Sequence, residues 1–459
     1  MTQASDGPAG LRAAAPAPAA ERDAGSLRLE RLRRQLQYCF ESSEFYRQRF
    51  SAIGFDPAGL RSFEEFGRLD FRMSKLDERQ SEEESLERFG HPLGMHLCAD
   101  PADVVGISAS SGTTGQPTFT YLFTKADLDV NNEVWRRALG WMGVSEGALV
   151  LHAMGLSMWV LGGLAVHSLI NIGMRPLPVG AEGGVTRILQ IAARTGPSVL
   201  LATPSMAERL LEQAESTVGR PARALGIRKI LCIGEPGAGL PAVRSRLESG
   251  FDAQLYDGMV GAWGICQVSC SAPEYAGMHQ LTEDFVIWEL VDPVTYEPLP
   301  KVDGARGRVL VTTLSQQARP IVKFDMGDIC EVYTSVCACG SRHPRIRVLG
   351  RADDMLIVRG VNVYPTAVKD VVMRFRPQVS GEVRIVLPAP PPRVAPPVRL
   401  LVEAADIASE DRAALAARIE QMIGDVLRFR AKVELVEEGS IVRATGKTRI
   451  VVVEPSGVA

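Results

Sequence analysis

The sequence predicts an α/β protein: a large N-terminal domain of α/β layers with a β-rich subdomain, then a small α+β C-terminal domain. Three observations predict it. The middle of the chain alternates short apolar strand-like runs with helical periods, the pattern of parallel strands joined by crossover helices. From Asp284 to Tyr333 strand-like runs follow one another. After Gly350-Arg351 a new helix-and-strand pattern begins and runs for about a hundred residues, the size of a separate domain.

At 459 residues the chain exceeds one core of ordinary size. Hydrophobic residues make up 46% and charged residues 23%, ordinary globular values. The net charge of -3 offers no basic surface to nucleic acid. No charged N-terminal region runs into an apolar stretch, so no secretory signal is expected. The longest uncharged stretch, 148–174, contains His152, Ser157, Gly162, Gly163, His167 and Asn171. It reads as a buried strand over 148–153 followed by a packed helix, and a membrane association is not expected. Eight cysteines in a chain of this size do not suggest a disulfide framework, and the expected compartment is a reducing cytoplasm.

Residues 1–25 are rich in Ala, Pro, Gly and Ser and read as a disordered tail. Leu29, Leu32, Leu36 and Phe40 then recur at helical spacing. Residues 198–202 form a β-type run, 205–215 a helix, and 229–233 a strand closed by the turn-rich 234–239. Strands are expected over 285–291, 309–313 and 329–333. In the last domain, 366–375 and 411–426 read as helices, and 383–387, 398–402 and 431–436 as strands. The Pro-rich 388–397 reads as a loop. The expected units are the tail, an N-terminal domain over 26–350 and a C-terminal domain over 351–459.

The richest segment for chemistry is Ser108-Ala109-Ser110-Ser111-Gly112-Thr113-Thr114-Gly115-Gln116-Pro117, between two apolar runs. Glycines permit tight turns whose freed amides cradle a phosphate, and hydroxyls add donors. No Gly-Lys-Ser/Thr closes it, so it is not a Walker A loop.

Ser110, Ser111, Gly112, Thr113, Thr114 and Gly115 resemble the phosphate-binding loop of the adenylate-forming superfamily of acyl-CoA synthetases, adenylation domains and luciferases. Further matches follow in that superfamily's order. Ala202-Thr203-Pro204-Ser205 and Gly234-Glu235-Pro236 resemble its substrate- and adenine-side segments. Phe324-Asp325-Met326-Gly327-Asp328 resembles the segment whose final aspartate holds the ribose hydroxyls. Gly350-Arg351-Ala352-Asp353-Asp354 resembles its hinge and Gly446-Lys447 its C-terminal lysine. Within the superfamily the chain is most similar to the phenylacetate-CoA ligase family, through Glu44-Phe45-Tyr46-Arg47-Gln48-Arg49-Phe50 and the hinge sequence GRADDMLIVRGVNVYP over 350–365.

The resemblance implies ATP-dependent activation of a small carboxylic acid as its acyl-AMP, release of pyrophosphate, and transfer to CoA or another pantetheine thiol. It implies a mobile C-terminal domain, with Lys447, Asp353 and Arg351 as catalytic or pivot residues and Tyr256 and Asp328 on the nucleotide. Such chemistry needs positioning and charge neutralisation more than a protein nucleophile. Two departures stand out. Gln116 replaces the lysine usual at the end of the loop. Tyr256-Asp257-Gly258-Met259-Val260 aligns with the segment whose glutamate ligates Mg²⁺, and Val260 stands in that glutamate's place.

Cys270, His279, Cys337 and Cys339 supply three sulfurs and one imidazole, the donor set of a closed structural zinc site. Some members of the family carry such a zinc. By family position, His152, Met154, Trp159, Met206, Tyr256, Met259 and Trp263 are pocket-wall candidates. An aryl acid, phenylacetate- or benzoate-like, suits an aromatic and Met-lined wall. Three alternatives remain: a small aliphatic or hydroxy acid as substrate, a carrier-protein thiol or an amine as acceptor, and a degenerate nucleotide-binding protein without catalysis. A homodimer is compatible with all of them.

Overall fold

The computed structural model describes residues 18–110, 118–359, 361–405, 409–441 and 450–454. Residues 1–17, the loop residues Ser111, Gly112, Thr113, Thr114, Gly115 and Gln116, and the Gly446-Lys447 pair lie outside the described residues.

The first helix, Pro18–Ser42, begins inside the stretch expected as a tail. Pro18 suits a first helical turn, and the Ala, Glu and Arg that follow have high helix propensity. Leu32 and Leu36 are fully buried, and Leu29 and Phe40 pack beside them. Truncating either buried leucine to alanine would cost about 2–5 kcal/mol.

An eleven-stranded sheet forms the body of the N-terminal domain. Its parallel half runs Arg175–Pro178, Leu149–His152, Val199–Ala202, Lys229–Ile233 and Gln254–Val260. Leu200 and Ile230 enter the apolar cluster on one face, whereas Leu201 and Leu231 enter the cluster on the other. Burial on both faces explains why these strands read as continuous apolar runs. The same sheet continues, antiparallel, through Cys266–Val268, Met278–Gln280, Arg345–Arg351, Phe324–Tyr333, Arg306–Thr313 and Val286–Val291. The β-rich subdomain is thus built on the edge of the α/β sheet.

The uncharged 148–174 stretch divides as expected into the strand Leu149–His152 and the helix Gly163–Asn171. Among the described residues no helix is long and apolar enough to cross a membrane.

The C-terminal domain has a four-stranded sheet in the order Ala431–Glu437, Val398–Ala404, Val379–Leu387 and Val451–Val453. Helices Pro365–Met373 and Ser409–Leu427 pack on it around Val368, Val372, Leu415 and Ile419. The Pro-rich stretch is not loop throughout. Arg393–Val394 pairs in parallel with Leu356–Val358, and the Ile357 amide donates to the Pro392 carbonyl at 2.6 Å. A tertiary partner supplies that strand, which no local period announces.

Candidate active site

The two strands that flank the phosphate-loop segment, Gly106–Ser110 and Thr118–Phe123, pair as an antiparallel hairpin. The second strand leads into Thr124, which forms a capping box with Asp127 and starts helix Lys125–Trp141. Asp127 also accepts the amides of Gln317 and Ala318 at 2.7 and 2.9 Å, fixing the hairpin to the β-rich strands. On its other side, the Ala109 amide donates to the Met158 carbonyl at 2.7 Å. Trp159 therefore lies beside the hairpin.

Asp328 and Arg351 are partners across neighbouring antiparallel strands. The Arg351 guanidinium donates from Nη1 to Asp328 Oδ1 at 3.3 Å and to the Met326 carbonyl at 2.8 Å. It also grips Asp353 with both remaining nitrogens, at 2.8 and 3.1 Å. Although burial opposes ionisation of Asp353, Arg351 holds its pKa below the ordinary value. Gly327 has φ 73, a conformation that favours glycine, and a Cβ there would crowd the Arg351 guanidinium. Asp325, by contrast, is structural: it accepts from Arg308 and the Gly327 amide at 2.8 Å and from Tyr296 at 3.0 Å.

Gly234, Glu235 and Pro236 leave the end of strand Lys229–Ile233. Glu235 accepts the Ser205 amide at 2.8 Å, and Thr203 Oγ1 accepts the Met206 amide at 3.1 Å. Both bonds satisfy the first turn of helix Pro204–Val218, where negative charge is favoured. Glu235 thus joins the two substrate- and adenine-side segments.

Met154, Met206, Tyr256 and Trp263 are buried and Met259 is half-buried. Trp263 stands between Tyr121 and Phe324, with ring centroids 4.8 and 5.2 Å away, so it bridges the hairpin to the strand of Asp328. His152 is fully buried and its Nε2 donates to the Leu161 carbonyl at 2.7 Å. A carbonyl accepts only, so that nitrogen carries the proton and Nδ1 presents a lone pair. Nδ1 is buried without a partner among the described residues, and burial lowers the pKa of this imidazole.

The magnesium position does not fit. Val260 is buried in an apolar cluster and has no donor atom. The nearby Asp257 accepts the Tyr275 hydroxyl at 2.6 Å, and burial raises its pKa against that bond and the charge of Arg244.

The four zinc candidates do come together. Their donor atoms all lie within 4.8 Å of one another. Cys270 and Cys337 Sγ are 3.7 Å apart, and Cys339 Sγ is 3.6 Å from His279 Nε2. A tetrahedral zinc with bonds of about 2.0–2.3 Å has ligand-to-ligand edges of roughly 3.5–3.8 Å. His279 pairs with Arg345 across strands, and its pKa is lowered to about 4 by burial and then by Arg345 and His343. Its imidazole is therefore neutral and free to ligate near pH 7.

Sequence reasoning missed the Tyr275–Asp257 bond, the Glu235–Ser205 bond and Glu182, whose carboxylate accepts the Leu156 amide at 3.0 Å and so holds the loop carrying Trp159. Each is a contact between segments with no motif of its own.

A family model described as AMP-binding enzyme C-terminal domain matches residues 360–454. The phenylacetate-coenzyme A ligase of Thermus thermophilus is 34% identical over 372 residues, covering 79% of this chain and 78% of the relative. The chain belongs to the phenylacetate-CoA ligase family. The phenylacetate-coenzyme A ligase of Escherichia coli is 27% identical over 434 residues, covering 92% of this chain and 93% of the relative. Membership makes the protein an AMP-forming acid–CoA ligase that works through an acyl-AMP. Among solved structures, 2-hydroxyisobutyryl-CoA ligase in its postadenylation state with an acyl-AMP overlays with a TM-score of 0.85. It is 27% identical, covering 95% of this chain and 90% of that chain. The same ligase in its thioesterification state gives 0.66.

Proposed function

We propose that this family member activates an aryl acid, phenylacetate- or benzoate-like, as its acyl-AMP and transfers the acyl group to CoA. The observation that carries the catalytic part is the single guanidinium of Arg351, which joins Asp328 on the nucleotide side to Asp353 in the hinge. A carboxylate oxygen of the acid attacks the α-phosphorus of ATP, and pyrophosphate leaves. The CoA thiolate then attacks the carbonyl carbon, and AMP leaves. Asp328 accepts from the ribose hydroxyls, and the phosphate-loop hydroxyls and amides hold the phosphates. Lys447 supplies positive charge beside the α-phosphate during the first step. Trp263, Met154 and Met206 supply apolar and aromatic surroundings suited to a ring.

One observation favours a second substrate class. The buried Nδ1 of His152 is an acceptor waiting for a donor, which a hydroxy acid would provide. The likeness to 2-hydroxyisobutyryl-CoA ligase supports the same reading.

Cys270, His279, Cys337 and Cys339 would hold a structural zinc that ties strand Met278–Gln280 to the turn before strand Arg345–Arg351. With four protein ligands it has no open position for chemistry.

The deciding experiment assays pyrophosphate release with phenylacetate, benzoate and 2-hydroxyisobutyrate, each with and without CoA. Preference for an aryl acid supports the first reading, and preference for the hydroxy acid replaces it. Release of phosphate and ADP in place of pyrophosphate and AMP overturns both.

A further inference from the structure

The C-terminal domain touches the α/β body through the end of helix Pro365–Met373. Met373, at the end of helix Pro365–Met373, is buried and joins the apolar cluster of the N-terminal domain, with Leu210 and Phe251 among its members. Three residues further on, Arg376 directs Nη2 to Glu208 Oε1 at 3.5 Å. Glu208 belongs to helix Pro204–Val218, and its side chain is only 9% exposed. It is already gripped within its own domain by Arg246 of helix Pro241–Phe251, at 3.0 Å. Arg246 reaches Glu212 with its other terminal nitrogen at 2.9 Å. On its own side Arg376 donates to the Ser380 carbonyl. Gly381, with φ 94, leaves the space: a Cβ there would press on Met373 Sδ.

We propose that Glu208, fixed by Arg246, is the docking point for Arg376 and Met373, and that this contact positions the C-terminal domain for acyl-adenylate formation and is released for thioester formation. The inference rests on the acyl-AMP reading above for its assignment to one half-reaction. Its first support is geometric. Among the described residues Met373 is the one residue of the C-terminal domain in that cluster of buried residues, and Arg376 follows it by three residues. Its second support is the arrangement of the domains. The chain overlays better on 2-hydroxyisobutyryl-CoA ligase in the postadenylation state, at 0.85, than in the open or thioesterification states, at 0.69 and 0.66. Its third support is strength. One ion pair at 3.5 Å and one buried methionine suffice to bias a pose, yet are weak enough to break in every cycle. Because Glu208 keeps Arg246 when Arg376 departs, release leaves no buried carboxylate without a cation.

The test uses the full chain with Arg376→Gln, Glu208→Gln and the double variant. Acyl-AMP formation is read as acid-dependent pyrophosphate release without CoA, and thioester formation from synthetic acyl-AMP and CoA. Each single variant is expected to slow the first about three- to tenfold, the range for loss of one partly buried ion pair, and to leave the second at its normal rate. The double variant should be no slower than the worse single, since the Arg376–Glu208 contact is already lost in each single variant. In parallel, dyes on the two domains report their separation without any substrate, and Arg376→Gln should shift it while the melting temperature stays put. An unchanged separation, or equal loss in both half-reactions, overturns the proposal. If the unaltered enzyme activates no acid, the functional reading fails, and the dye separation alone decides whether the docking contact exists.

Discussion

Asp328 and Arg351 face each other across strands Phe324–Tyr333 and Arg345–Arg351, with Arg351 Nη1 3.3 Å from Asp328 Oδ1. The arginine's other nitrogens hold Asp353 at 2.8 and 3.1 Å. A carboxylate assigned to the ribose is thereby oriented by the residue that opens the hinge. Asp328→Ala should lower kcat/KM for ATP by about 1.5–3 kcal/mol, the scale of charge-assisted hydrogen bonds. Steady-state kinetics with ATP varied at saturating acid checks this. An unchanged kcat/KM removes the ribose assignment.

The cysteine and histidine cluster predicts metal content. Elemental analysis of purified protein should find about one zinc per chain, as expected for a closed four-ligand site. Cys337→Ser combined with Cys339→Ser should lose that zinc and melt at a lower temperature, because binding energy at such a site is folding energy. Zinc retained in the double variant removes the assignment.

What the sequence made legible depends on distance along the chain. Strand Lys229–Ile233 and strand Ala431–Glu437 follow from local apolar runs, and helix Ser409–Leu427 from its period. The Asp328 and Arg351 segments were legible because each is a contiguous motif. Three kinds of feature were hidden. Arg393–Val394 is a strand because Leu356–Val358 pairs with it, amid prolines that mark a loop. Helix Pro18–Ser42 starts where composition suggested a tail, since low complexity and helix propensity compete there. The bond from the Tyr275 hydroxyl to Asp257, eighteen residues apart in sequence, belongs to no contiguous motif. The zinc cluster lies between these cases. The Cys337-Cys339 pair was visible as a turn, but only the pairing of His279 with Arg345 brings the other ligands to it.

The carboxylates on the buried face of helix Lys75–Phe89 predict a pH dependence of stability. Glu78 and Glu82 each accept from Arg319 at 3.0 Å, and Glu78 and Arg319 are almost wholly buried. Burial, more than the opposing charge of Arg319, raises the Glu78 pKa from 4.5 to about 7. The folded pKa lies above the unfolded one. The contribution of this group is therefore fully present below pH 4.5 and is lost as pH rises through about 7. Gln resembles the protonated acid, so Glu78→Gln should flatten the melting temperature against pH across that window. Parallel curves for the two proteins would contradict the assignment.

Lys447 is expected to serve adenylation and not thiol transfer. As the acid attacks ATP, negative charge gathers around the α-phosphate, and a lysine carried there by the C-terminal domain stabilises it. Thiol transfer needs no such charge and needs that face cleared so that pantetheine can reach the carbonyl carbon. The chain beyond Arg351 and Asp353 must then turn, and a few hinge residues suffice to absorb the rotation. Lys447→Ala should lower acyl-AMP formation about a hundredfold or more, in the range for losing one preorganised partner of the transition state. The same variant, given synthetic acyl-AMP and CoA, should form thioester at close to the normal rate. This pattern differs in size from that expected of Arg376→Gln, because the role proposed for the arginine is to bias a pose and that proposed for the lysine is to neutralise charge at the reacting phosphate. Restoring the docked pose cannot replace a missing charge, so a disulfide locking the two domains together should not rescue Lys447→Ala. Equal loss in both half-reactions would assign the lysine to general binding and leave the two-position scheme without its chemical reason.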